Sequence, residues 1–255
     1  MRVNTNVGAL NASRNLFLVQ REVENSMGRL SSGLRINKAS DDAAGLAIAN
    51  KLRTSTRALT QASNNAEQAS AMLAIAEGSA TTIQRILERQ KELYIQSTSS
   101  QNSGVTDKLD AEFAKLSDEA KRILDSTNFQ GTDIFGSSLT FTVSDASAGD
   151  SISVSINLSA GDVSAGTSTT DVDDYLDNIS DALGAIGAAQ SRLSYTIANI
   201  KTAIVNQSAA ESTIRDVDMA AEMAMFSKNS ILAQAGTAML AQANQQGQSI
   251  LSLLR

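Results

Sequence analysis

A chain of 255 residues with no Pro, Cys, His or Trp, and only 4% aromatic residues, has the composition of long helices packed through Ala, Leu and Ile. The same absences exclude a Ser-His-Asp triad, a Cys-His pair and imidazole or thiolate metal sites, so no catalytic residue, metal or cofactor is expected and the chain reads as a non-enzyme. A formal net charge of −6 and a pI near 4.8 argue against nucleic acid as a partner.

In the first twenty residues Asn4, Asn6, Asn11, Ser13 and Asn15 interrupt any signal-peptide core, and no apolar run nears the roughly 18 residues of a membrane span. Neither a cleaved leader nor a membrane partner is expected. Leu16, Gln20, Val23, Met27, Leu30 and Leu34 then alternate steps of four and three, the spacing of a helical seam that Gly33 helps to end. Ser40 is placed as the N-cap of the next helix, with Asp41 and Asp42 complementing the positive end of its dipole. A paired-carboxylate acid/base site lacks a convergent partner, so the stretch reads as a hinge and a cap.

The next helix is expected over about 41–98, roughly 85 Å at 1.5 Å per residue. Its seam runs through Leu59, Ala62, Ala66, Ala69, Leu73, Ala76, Ala80, Ile83 and Leu87 without a miss. A polar break at 97–106 precedes a shorter amphipathic helix near 107–125, carrying Leu109, Phe113, Leu116, Ala120 and Ile123. The period then changes to two. Leu139, Phe141 and Val143, and later Ile152, Val154, Ile156 and Leu158, alternate with small polar residues and predict a hairpin. Residues 159–170 read as an exposed loop. A second long seam follows at Leu176, Ile179, Leu183, Ile186, Gln190, Leu193, Ile197, Ile200 and Ile204, large where the first is small, so the two are expected to interdigitate antiparallel.

From about Ile214 to Leu254 the chain is nearly all helix former, with apolar residues around the whole cylinder, and such a helix must be buried by something. Ordering some 40 residues costs about 1 to 2 kcal/mol each in backbone entropy. Both ends are therefore expected to fold only when neighbouring subunits surround them. Gln234, Gln242, Asn244, Gln245, Gln246 and Gln248 suit either plain surface polarity or a wet channel wall.

Two groups of motifs carry a family resemblance. At the N-terminal end stand VNTNV at 3–7, ALNA at 9–12, RLSSGLRIN at 29–37 and DDAAGLAIA at 41–49; at the other stand SYTIAN at 194–199, IRDVD at 214–218, KNSIL at 228–232 and MLAQAN at 239–244. In these the chain resembles bacterial flagellins, over roughly 1–135 and 176–255. The resemblance implies a mainly α fold: a long antiparallel coiled-coil bundle with a small β-hairpin and helical termini. It implies paired terminal helices at 1–40 and 213–255 forming a filament's inner tube, a bundle at 41–135 and 172–212, and a reduced variable region at 136–171.

The implied function is self-assembly into the helical flagellar filament, with the hook-filament junction protein and a secreted helical module bound by a host receptor as alternatives. Implied partners are further copies of the chain, junction and cap proteins, an export chaperone and a host Toll-like receptor. The implied location is extracellular, in the flagellar filament, with a periplasmic flagellum left open. Assembly positions are expected at Val23, Met27, Leu30, Leu34, Ile231, Leu232, Met239 and Leu253. The chain resembles receptor-recognised flagellins around Gln84 to Gln96, and this resemblance implies receptor-contact positions at Arg89, Leu93 and Glu112, although Lys91 and Tyr94 stand where Arg and Ala are usual; Gly247 stands where many members have Pro. Ser159, Ser164, Thr167, Ser168, Thr169 and Thr170 are candidate acceptors of O-linked glycans.

Overall fold

The structure, a computed structural model, describes residues 6–99, 104–144, 151–158 and 169–253; the side chains of 169–170 and 246–253 are not among those described. In chain order the elements are α1 (Val7–Ser32), α2 (Ala43–Ser97), α3 (Thr106–Ser126), β1 (Asn128–Phe129), β2 (Thr132–Asp133), β3 (Ser138–Thr142), β4 (Ser151–Ser155), α4 (Thr169–Arg215) and α5 (Met219–Leu253). The fold is mainly α, with helical ends and two small antiparallel ribbons. The chain forms two compact units: a middle unit of Ser55–Asn206, and a terminal unit taking the residues up to Thr54 and from Gln207 onward.

In the middle unit the small-residue seam of α2 is buried along its length, with Ala66, Leu73, Ala76, Ala80 and Ile83 wholly enclosed. Facing it are Val172, Tyr175, Ile179, Ala182, Ile186, Ala189, Leu193 and Ile200 of α4. Lys201 pairs with Glu67 at 3.0 Å, Gln190 donates to Glu77 at 2.9 Å, and Lys91 pairs with Asp173 at 2.6 Å. Numbers fall on one helix as they rise on the other, so the two run antiparallel. Gln190 is thus a flanking residue and Ala189 takes the seam position. Leu176, Leu183 and Ile197 flank the same core half-buried, because α4 buries a stripe wider than a strict two-position seam.

Helix α3 returns along α2. The buried Gln90 amide fixes it, donating to the Phe113 carbonyl at 3.2 Å and to Ser117 Oγ at 2.7 Å. Strands β3 and β4 pair from Ser138↔Ser155 to Thr142↔Ser151, and the alternation turns Leu139, Ile152 and Val154 onto the core. The ribbon β1–β2 has no counterpart in the period-two reading. Its two-residue turn, Gln130-Gly131, has φ of 54° and 82°, the doubly positive geometry of a type I′ hairpin. Helix α4 begins at Thr169, so Thr169 and Thr170 are helical rather than loop residues. Ser159, Ser164, Thr167 and Ser168 lie outside the described residues.

Candidate assembly surface

The terminal unit is built on α1 packed against α5. Half-buried or buried positions on α1 include Ala9, Ala12, Leu16, Val19, Val23, Ser26 and Leu30, a run of alternating threes and fours, with Gly28 and Arg29 half-buried beside its end. Those on α5 include Glu222, Phe226, Asn229, Ala233, Gly236, Leu240 and Ala243, with the same rhythm and with Ser230 half-buried beside it. This is a two-helix coiled-coil seam. It differs from the seam read in the sequence: Leu16, Val23 and Leu30 belong to it, while Gln20 and Met27 lie outside. Small residues at Ala9, Ala12 and Ser26 hold the contact, and pattern reading favoured the larger side chains.

The pairing is antiparallel. Asn6 donates its side-chain amide to the Ala243 carbonyl at 2.8 Å, a Cβ on Gly236 would stand 3.2 Å from Leu16 Cδ1, and Arg29 lies 3.8 Å from Glu222. Asn6 also caps α1, its Oδ1 accepting from the Ala9 N–H at 3.1 Å. Asp218 caps α5 through the N–H groups of Ala220 and Ala221 at 2.9 and 3.2 Å.

Between the helices the two connections cross-link. Arg35 N–H donates to the Arg215 carbonyl at 2.7 Å, Val217 N–H to the Gly33 carbonyl at 3.1 Å, and the Arg35 guanidinium to the Ile214 carbonyl at 2.7 Å. Gly33 makes this reversal with φ 71°, its N–H returning to the Arg29 carbonyl at 2.8 Å. Beyond it the acidic pair divides its labour. Asp41 Oδ2 accepts the N–H groups of Lys38 and Asn37 at 2.9 and 3.2 Å, and these bonds hold its pKa below the ordinary carboxylate value. Asp42 Oδ1 accepts Gly45 N–H at 2.8 Å, so Asp42 is the N-cap of α2 and Ser40 lies within the preceding turn.

Of the eight expected assembly positions, Val23, Leu30 and Leu34 are half-buried within this unit; Leu34 forms an antiparallel bridge with Asp216. Met27, Ile231, Leu232 and Met239 are exposed. Leu253 closes α5, and its side chain is outside the described ones. Pattern reading did not single out Val7, Leu10 and Phe17, which are also exposed on α1. With so many large apolar side chains unburied after the pair has formed, both helices keep outward faces that water leaves unsatisfied.

Elsewhere, Arg89 is exposed and bridges Glu92 at 2.9 Å and Glu112 at 3.2 Å, and these bonds raise the pKa of its guanidinium. Leu93 is only 1% exposed. Among the described residues there is no cluster of three or more acidic side chains arranged to hold a metal, and no helix long and apolar enough to cross a membrane.

A cysteine-free coiled-coil subunit with a middle unit built on a buried helical seam and apolar outward faces on its paired ends belongs to the class of structural, self-associating proteins. The description of bacterial flagellin N-terminal helical region fits residues 3–140, and that of bacterial flagellin C-terminal helical region fits residues 169–254. The chain is 39% identical to a flagellin of Halalkalibacterium halodurans and 37% identical to one of Bacillus subtilis, each over the whole of both chains. It is likewise 37% identical, over the full length of both, to flagellin FlaB2 of Treponema pallidum. The chain belongs to the bacterial flagellin family. It is a structural subunit of the flagellar filament, and it polymerises with further copies of itself.

Proposed function

We propose that filament growth runs through the terminal unit, with the α1–α5 pairs of successive subunits forming the inner tube of the filament. The carrying observation is the large apolar surface left on α1 and α5 after they have packed together, Phe17, Ile231 and Leu232 foremost. The contact is heterologous: one face of the pair meets a different face of the next, and an interface that does not close on itself propagates without a natural end. Ordering of the ends is coupled to this burial, which keeps the unassembled chain soluble.

The assembly role falls to Met27, Ile231, Leu232 and Met239 at the contact between subunits, and to Val23, Leu30 and Leu34 in shaping the pair that makes it. Leu253 is assigned the same role from its place in the sequence. Before assembly these apolar faces need a covering partner, the role of an export chaperone. At the ends of the polymer the cap and junction proteins meet the surfaces that a further subunit would take. The filament lies outside the cell, and the chain has no catalytic role.

Receptor recognition draws support from Arg89 and Glu112, which are exposed and adjacent; the enclosed position of Leu93 speaks against that residue as a direct contact.

Electron microscopy of seeded protein tests the reading. The intact chain forms long filaments, whereas Leu232→Asp and a chain ending at Thr213 form none. Normal filaments from Leu232→Asp would remove the terminal unit from the mechanism.

A further inference from the structure

With no Cys, His or Trp in the sequence, methionine is the side chain that peroxides attack most readily, and the chain has seven. Their placement is uneven. Met27 on α1 and Met219, Met223, Met225 and Met239 on α5 are between 48% and 64% exposed, whereas Met72 in the middle unit is 6% exposed. Met1 lies outside the described residues. Among the described residues the exposed methionines are thus confined to the terminal unit, on the faces left open after α1 and α5 pair.

We propose that these five methionines are an oxidation site for peroxide-class oxidants that controls whether the subunit can polymerise. The thioether sulfur attacks one peroxide oxygen and the O–O bond breaks as the S–O bond forms. Sulfur loses two electrons, and the other oxygen takes the proton of the attacked hydroxyl and leaves as water from hydrogen peroxide or as an alcohol from an organic hydroperoxide. The product, methionine sulfoxide, replaces a flexible apolar side chain with a polar, chiral one. A sulfoxide oxygen facing an apolar neighbour is a buried acceptor without a donor.

The effect on polymerisation rests on the terminal-unit reading above; the selectivity for five sites does not. Free subunits present the thioethers and a formed filament covers them, so oxidation acts on subunits before they add. Methionine also explains why such a vulnerable residue is tolerated: its unbranched chain adapts to an irregular contact surface better than Leu or Ile.

The test uses full-length protein and hydrogen peroxide. Peptide mass spectrometry of briefly treated subunits is expected to find one added oxygen at Met27, Met219, Met223, Met225 and Met239, with Met72 spared. The concentration needed for polymerisation should rise about tenfold or more, the consequence of even one unpaired buried acceptor. Treatment with the two methionine sulfoxide reductases, one for each epimer, should restore assembly. A variant with all five changed to Leu should polymerise equally well before and after peroxide; should it not polymerise at all, enzymatic rescue of the oxidised native chain decides alone. Unchanged assembly of subunits shown to be oxidised at the five positions overturns the proposal, as does oxidation of Met72 at the same rate. If Leu232→Asp still forms filaments while oxidation blocks them, the terminal-unit reading fails. If Leu232→Asp abolishes filaments and oxidised subunits assemble normally, this inference alone falls.

Discussion

The Glu222 carboxylate is buried in the α1–α5 seam with Oε2 3.8 Å from the Arg29 guanidinium, while its Oε1 has no protein donor among the described residues. A buried charge whose partner is removed costs far more than the pair contributes. Arg29→Ala should therefore destabilise the terminal unit by about 1–3 kcal/mol, below the full buried-pair figure because Arg29 is partly solvated. Adding Glu222→Gln to that variant should recover most of the loss. Depolymerisation temperatures of the filaments, followed by circular dichroism, check this; equal losses in single and double variants would show that the two side chains do not interact.

Two glycines of α2 should respond to alanine in opposite senses. A Cβ on Gly45 would collide with the capping carboxylate of Asp42 and stand 2.8 Å from Ile36 Cδ1, a buried atom, whereas nothing lies within 4 Å of one on Gly78. Gly45→Ala should cost about 1–2 kcal/mol through loss of the N-cap. Gly78→Ala should gain about 0.5–1 kcal/mol from the lower entropy cost of ordering alanine in a helix. Thermal unfolding of the assembled protein reads both signs.

Asp41 gives a pH prediction. Its carboxyl is held below the ordinary value by the backbone N–H groups of Lys38 and Asn37, so its contribution is fully present above the unfolded pKa and is lost as pH falls through the depressed folded one. Asp41→Asn should remove that part of the acid dependence in the turn. A carboxyl titration by nuclear magnetic resonance at this residue shows the depressed midpoint, and an ordinary midpoint would contradict the turn geometry.

What was legible in the sequence followed from period and size. The α2 seam was readable because every member is apolar and steps in alternating threes and fours. On α1 the same rule went astray, because Ser26 and the small Ala9 and Ala12 carry the contact while Met27 faces outward. Hydrophobicity ranks side chains, and close helix approach selects small ones. The cap was displaced for a related reason: Ser40 and Asp42 are equally good capping chemistry, and the Asp41-bound turn over 37–41 decides between them. The β1–β2 ribbon was not readable, since strands of two residues have no period and Gln-Gly is a weaker hairpin signal than Asn-Gly.

The last prediction concerns the register of the middle unit. Gln190 with Glu77 and Lys201 with Glu67 fix the antiparallel alignment of α2 and α4, and it places Ala80 level with Ile186, both of them fully buried. Ile186→Ala should leave a cavity and cost about 2–5 kcal/mol, and Ala80→Leu should overpack the seam and cost about 1–3 kcal/mol. If the two share a layer, the added volume of one fills the space left by the other, and the double variant should be more stable than the sum of the single losses implies. Denaturant unfolding of the free subunit measures all three. Strict additivity would mean that the residues lie in different layers and that the polar pairs are a poor guide to the packing beneath them.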